Sequence, residues 1–285
     1  MKKYFTLAIA LLVNIAISAS ADELPVLKPS NKSQEWVKYT ASESAYIERL
    51  DKIYCNFQNS FEKGVSPFEQ KNMGLPEDDY KFLMSTPYAE SLEDSPYDII
   101  GHGDDGWLDA GGGPVDAEAT SELKSQGKND YSPKKAYDGM LNTAWVEGKD
   151  DYGIGEKITI LLRNDAPLAT TVSFYNGYQK TDKSWNNNSR VKKLKMYVNK
   201  EPYAILELED VYNKQIFDLP TKIGQFEKTT RTKDDLFVND NEEDKYFKSK
   251  AVYEVTFEIL EVYHGDKYKD TCISEIFFYG EGGYY

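Results

Sequence analysis

Tyr253-Glu254-Val255-Thr256-Phe257-Glu258-Ile259-Leu260-Glu261-Val262-Tyr263 puts Tyr253, Val255, Phe257 and Ile259 on one side of an extended chain. Side chains of a strand alternate between two faces, so a period of two over this length predicts a long strand with one dry face. Upstream, Val191–Val198 repeats the pattern, with Leu194, Met196 and Val198 sharing a face. Ile158–Leu162, Thr171–Tyr175, Ala204–Leu208, Gln215–Leu219 and Ile273–Tyr279 complete a set of short β-rich segments. Polar turns join them and no helical period separates them, which predicts an antiparallel sandwich or barrel and excludes an α/β fold. Lys228–Lys250 is charged, with Leu236, Phe237, Val238, Tyr246 and Phe247 as its apolar relief, and is expected to be a surface insertion.

The texture before this region differs. Asp22–Lys32 carries two prolines and two lysines and is expected to be extended. Glu35–Glu62 is expected to be helical, because Trp36, Tyr39, Tyr46, Leu50, Ile53 and Phe57 recur mostly at three- and four-residue steps. Pro76-Glu77-Asp78-Asp79 reads as the start of a second helix, with Tyr80, Phe82 and Leu83 behind it. Gly101–Gly113 holds six glycines in thirteen positions and marks the boundary. The expected organisation is therefore a signal segment at 1–21, a helical N-terminal region with its Gly-rich linker at 22–110, and a β-sandwich at 111–285.

The signal segment follows from Lys2 and Lys3, the apolar run Leu7–Ile17 interrupted only by Asn14, and Ala19-Ser20-Ala21 as a small-x-small cleavage site. An uncleaved anchor is the alternative, but the run is short for a bilayer span. Export to a periplasm or beyond the cell is the expectation. The net charge of −14 and the lack of a basic stripe disfavour nucleic acid. The 22 Tyr and 13 Phe suit cross-strand packing, and also suit stacking on sugars. Two cysteines, Cys55 and Cys272, are either free or bridged in an oxidising compartment; a bridge would tie the N-terminal region to the last strand.

Tyr131-Ser132-Pro133-Lys134-Lys135-Ala136-Tyr137-Asp138-Gly139-Met140-Leu141-Asn142-Thr143-Ala144-Trp145 sets an Asp-Gly turn and several oxygen ligands in one loop, followed by a Trp suited to a core. The run AYDGMLNTAW resembles the early loop of discoidin-type, galactose-binding-like (F5/8 type C) modules. TAWVEGKDDYGIGEKITI, FYNGYQKTDKSWNNNSRVKKLKMYV and VYHGDKYKDTCISEIFFYG resemble, in order, the NADase-type glycan-binding branch, from about Val115 to Gly280. The family often carries a Gly-Cys-Ser-Trp-Tyr-Cys-Gly-Gly element ahead of the module. Gly103–Gly112 keeps the Trp and glycines but lacks both cysteines.

The resemblance implies a mainly β fold, a discoidin-like jelly-roll sandwich behind a small helical region, and a module that binds rather than catalyses. It implies a structural Ca²⁺ site at Asp138, Asn142, Thr143 and Glu275. The alternative is that Asp138 closes its turn by an Asx hydrogen bond and Glu275 pairs with a lysine. For a sugar, a ring to stack on and planar polar groups are needed. Tyr178, Trp185, Asn188 and Arg190 offer these in one loop, with Glu147 and Tyr152 in a second. The alternative is that the asparagines are turn residues. No G-x-S-x-G, HExxH, P-loop or Cys–His pattern is present, and the two histidines, His102 and His264, stand alone. The expected partner is a glycan or glycoprotein. A protein–protein module and a small hydrolase in the N-terminal region are the competing functions.

Overall fold

The computed structural model describes residues 23–30, 49–85 (except 51, 54, 55, 58, 59, 61 and 62), 112–229 (except 128), 231–238 and 247–280. The expected signal segment, most of the expected first helix, the Gly-rich stretch, His102 and Cys55 lie outside the described residues.

The alternating stretch forms β10 (Ala251–Tyr263) at the middle of one layer. It pairs antiparallel with β4 (Lys157–Arg163), Phe257 facing Ile158, and with β6 (Ser189–Val198), Phe257 facing Met196. β2 (Pro114–Ala119) extends this layer beyond β4, and β7 (Glu201–Glu207) extends it beyond β6. Asn199 and Lys200 join β6 to β7 with φ of 48° and 74°. That is a two-residue turn whose twist suits a hairpin. The second layer is β8 (Lys214–Ile223), β5 (Ala169–Asn176), β11 (Thr271–Gly280) and the two-residue β3 (Trp145–Val146).

The layers face each other across the apolar residues that alternation assigns inward. Phe257 of β10 meets Phe174 of β5 edge to face at 5.1 Å and Phe278 of β11 at 6.3 Å, although β10 pairs with neither strand. Ile160, Leu194, Val255, Val172, Phe217 and Ile276 fill the same core and are fully buried. Trp145 lies there too, donating its indole N–H to the Ser121 carbonyl at 3.1 Å. The layers join where the start of β6 runs parallel to the start of β11, Ser189 facing Thr271 and Arg190 facing Cys272. This junction positions the loops described below. The fold is a discoidin-like β-sandwich, as the sequence predicts.

Two segments are held to the sandwich by contacts that their local sequence does not show. The stretch before the helices joins the sandwich: β1 (Val26–Leu27) lies parallel to β7, and the Ser30 N–H donates to the Ile216 carbonyl of β8 at 2.7 Å. The charged insertion is also tied down where it is described. β9 (Arg231–Thr232) pairs with the start of β10, Arg231 bonds Glu118 and Glu254, and Lys233 bonds Asp116 and Asp235. Opposite charges placed along neighbouring strands hold this segment to the sheet.

In the N-terminal region, positions 49, 50, 52, 53, 56, 57 and 60 are helical. The second expected helix is α1 (Glu77–Met84), with Glu77, Asp78 and Asp79 in its first turn, where the helix dipole favours carboxylates. Leu50, Ile53, Phe57, Leu75 and Leu83 form a separate small apolar cluster, and Arg49 bonds Asp79 at 2.8 Å. No helix among the described residues is long and apolar enough to cross a membrane.

Candidate functional site

The segment expected as a free loop between β5 and β6 contains a short helix, α2 (Asp182–Asn187). Thr181 caps it, its hydroxyl oxygen accepting the Ser184 N–H at 3.0 Å. The last carbonyls of α2 point at the turn after β10. Asn186 O accepts from Asp266 N–H, and Asn187 O accepts from the N–H groups of Lys267 and Tyr268, all at 2.8–3.1 Å. Gly265 lets the two backbones meet, since a Cβ there would lie 2.4 Å from the Asn188 carbonyl carbon.

These contacts shape a concavity of about 350 Å³ beside the β6–β11 junction. That volume lies at the low end of ligand pockets, which run from roughly 300 to 1,000 Å³. Its apolar lining is Leu123, Val146, Tyr131 and Tyr178, the two tyrosine rings meeting edge to face at 6.4 Å. Burial pushes the Tyr178 hydroxyl up to about 12, so it stays a protonated donor. The polar lining is Gln126, Thr181, Lys183, Ser184, Asn187, Asn188 and Asp270, with the 42% exposed Tyr268 beside them. Thr181 and Ser184 are occupied in the helix cap. The side chains of Gln126, Lys183 and Asn187 have no partner among the described residues, and the Asp270 carboxylate is met only by its own backbone N–H. Burial holds that carboxyl above its ordinary range.

The six sequence-predicted ligand residues separate into two groups. Tyr178 and Asn188 line the concavity; Trp185, Arg190, Glu147 and Tyr152 do not. Arg190 is buried, and its guanidinium makes four hydrogen bonds. It bonds both Asp210 oxygens at 2.6 and 3.1 Å, donates to the Trp185 and Asn188 carbonyls at 3.0 and 2.9 Å, and stacks 4.3 Å from the centre of the Trp185 ring. Trp185 donates its indole N–H to the Asn176 carbonyl at 2.9 Å and meets Tyr212 edge to face. Together they buttress α2 from behind. Glu147 is fully buried beneath Gly153, accepting from the Lys149 and Thr271 N–H groups at 2.8 and 3.3 Å. Tyr152 stacks on His264. The concavity also takes in Tyr131, Leu123, Lys183, Tyr268 and Asp270, which the sequence does not single out. The signal in hand was the pair Tyr268 and Asp270 within YKD, one residue apart on either side of Lys269 and just ahead of β11.

Of the expected metal residues, Asp138 and Thr143 meet in the loop between the 3-10 turn Pro133–Ala136 and Trp145, and Glu275 of β11 faces Asp138. Asp138 Oδ1 accepts from the Met140 N–H at 3.1 Å, an Asx turn, and from the Thr143 hydroxyl at 2.8 Å. Its Oδ2 pairs with Lys135 at 3.0 Å. Glu275 is completely buried. One oxygen accepts the Met140 N–H at 2.9 Å, and the other has no partner. Burial and the neighbouring Asp138 push the Glu275 carboxyl well up. Among the described residues Glu275 therefore pairs with no lysine, and Asn142 sits in the same loop as Asp138 with bonds of its own. Among the described residues no three His, Cys, Asp or Glu side chains converge on one point.

Among the described residues Cys272 is a free thiol, fully buried against Tyr131, Ala144 and Val146; Cys55, the other half of the expected bridge, lies outside them. The side chain points into the cluster beneath the concavity floor rather than outward. Burial, with the Asp270 and Glu147 charges nearby, pushes the thiol well up.

The family model described as the NAD glycohydrolase translocation F5/8 type C domain matches residues 107–279, beginning at Trp107 and ending in β11. The chain belongs to this family. Among solved structures, the Clostridium perfringens domain CpGH89CBM32-5, in complex with GalNAc-β-1,3-galactose, is 16% identical with a TM-score of 0.36, over 58% of this chain and 94% of that one. The F5/8 type C domain of a Bacteroides fragilis protein is 15% identical with a TM-score of 0.37, over 60% and 98%. The CBM32-1 and CBM32-2 domains of Clostridium perfringens ZmpB, in complex with GalNAc, are 12% identical with a TM-score of 0.38, over 75% and 51%. No curated protein matches the chain.

Proposed function

We propose that this F5/8 type C family member is an exported, non-catalytic protein that binds a glycan in the concavity between α2, the β10–β11 turn and the Tyr131 segment. One observation carries the reading. Apolar and aromatic walls surround the side chains of Gln126, Lys183 and Asn187, which have no partner among the described residues, and an Asp270 carboxylate met only by its own backbone N–H. Leaving an acceptor carboxylate half-buried with only its own backbone N–H as donor costs stability, which a ligand's hydroxyl donors would offset. Tyr131 and Tyr178 offer ring surface to the C–H faces of a sugar. Binding without turnover is favoured because His264, the described histidine, is stacked on Tyr152 and the buried Cys272 thiol is held protonated. The export half of the reading rests on residues 1–21.

A glycan array probed with the purified mature chain tests this. Binding that falls at least about tenfold in Asn187→Ala and Asp270→Ala, with folding unchanged, is the expected result. A folded wild-type chain that binds no glycan, yet captures one protein from an envelope extract, would replace this reading with the protein–protein one.

We further propose that Asp138, Thr143 and Glu275 hold a structural Ca²⁺ with carbonyl oxygens of the same loop. The unpartnered, buried Glu275 oxygen supports this, because a hard cation would satisfy it. Bound there, the ion would neutralise two facing carboxyls and fix the loop ahead of Trp145. The Lys135 ammonium on Asp138 is the competing charge. The melting temperature should rise by several degrees between EDTA and millimolar Ca²⁺; no change would remove the ion from the reading.

A further inference from the structure

We propose that the ring pair Tyr152–His264 is a second subsite, a flat platform for the next sugar ring of an oligosaccharide whose terminal residue occupies the concavity. This rests on the glycan reading above. The wall between the two places is Tyr268-Lys269-Asp270. Tyr268 and Asp270 line the concavity, while Lys269 between them carries its ammonium to 5.9 Å from the centre of the Tyr152 ring. Alternate residues of the wall thus face opposite sides, one toward the concavity and one toward the platform.

The platform has the geometry of a stacking surface. The phenol and imidazole lie 4.1 Å apart and 10° from parallel. Tyr152 is half-buried and His264 is exposed, so the phenol supports the imidazole and the imidazole meets solvent. Both rings are set on fixed backbone. The Tyr152 carbonyl accepts the Thr271 hydroxyl at 2.9 Å, and the next residue, Gly153, presses on Glu147 so closely that a Cβ would lie 2.5 Å from its carboxyl carbon. On the other side Gly265 donates to Ser189 Oγ at 3.1 Å and abuts the Asn187 and Asn188 backbone. Asn187 and Asn188 themselves line the concavity. Platform and concavity therefore share a backbone contact, and a ligand crossing the wall would meet two surfaces already in place. Preorganisation of this kind lowers the ordering cost of binding. The C–H face of a pyranose suits the imidazole face.

The test is calorimetric titration with galactose, N-acetylgalactosamine and disaccharides that extend each by one pyranose, against wild type, His264→Ala and His264→Phe. Wild type should bind a disaccharide about three- to tenfold more tightly than its terminal monosaccharide. His264→Ala should abolish that difference and leave monosaccharide affinity unchanged, and His264→Phe, which keeps a flat ring, should restore it. His264 is exposed, so neither variant threatens the fold. Equal affinity for monosaccharides and disaccharides in wild type, or an extension gain that survives His264→Ala, overturns the second subsite and leaves the concavity reading intact. No sugar binding by folded wild type overturns both.

Discussion

Truncating Arg190 separates a buttress from a ligand contact. In Arg190→Ala, four hydrogen bonds and the stack on Trp185 disappear together. The two bonds to Asp210 count for little, because the Asp210 side chain is 38% exposed and rehydrates when the partner leaves. The two charge-assisted bonds to the Trp185 and Asn188 carbonyls count for more, about 1.5 kcal/mol each at the low end of the usual range. Their sum is about 3 kcal/mol, which for a domain of this size is a fall in melting temperature of about 6–12 °C. Arg190→Lys should recover less than half of it, since an ammonium cannot bond a carboxylate and two carbonyls through one rigid fork. Urea unfolding measures the loss, and glycan titration at a temperature where the variant is folded measures binding. Because α2 carries Asn187 and precedes Asn188, affinity should fall in step with stability. A variant as stable as wild type, within about 0.5 kcal/mol, that nonetheless loses binding would refute the buttress and return Arg190 to the ligand.

Three further outcomes follow from the same geometry. In Gly265→Ala the added Cβ meets the backbone of Asn187 and Asn188, which cannot rotate aside, so stability should drop by about 2 kcal/mol and glycan binding should weaken; an unchanged urea midpoint contradicts the close approach. Burial raises Asp270 above its ordinary value of 3.8, and accepting sugar hydroxyls requires the ionised form, so affinity should fall as pH drops through that raised value. The free protein moves the opposite way: a raised folded value contributes stability that is full below 3.8 and fades as pH rises through the folded value. Asp270→Asn should flatten the binding profile, and a flat wild-type binding profile removes Asp270 from the site. Finally, Cys272 should resist iodoacetamide in the native protein at about pH 8 and react once urea unfolds it, because a buried, protonated thiol is a poor nucleophile; peptide mapping that finds it alkylated under native conditions contradicts the packing.

The amino-acid sequence alone determined the two-layer β architecture, since burial of every second residue is a local rule. Tyr253, Val255, Phe257 and Ile259 had one way to be buried together, and the structure gives all four less than 2% exposure. Local chemistry likewise made the Asp138-Gly139 turn and the acidic start of α1 legible. Where the candidate site lies was decided by tertiary structure. Its lining comes from residues 123–131, 146, 178–188 and 268–270, segments brought together only by the meeting of β6 and β11. Whether a planar polar side chain faces a ligand or the protein depends on partners distant in the chain. Arg190 looked available in the sequence, but Asp210, twenty residues on, holds it, while the carboxylate of Asp270, unremarkable in an acidic sequence, meets only its own backbone N–H. Hydrophobic periodicity is set by neighbours one turn or one strand away; the saturation of hydrogen bonds is set by whatever the fold carries alongside.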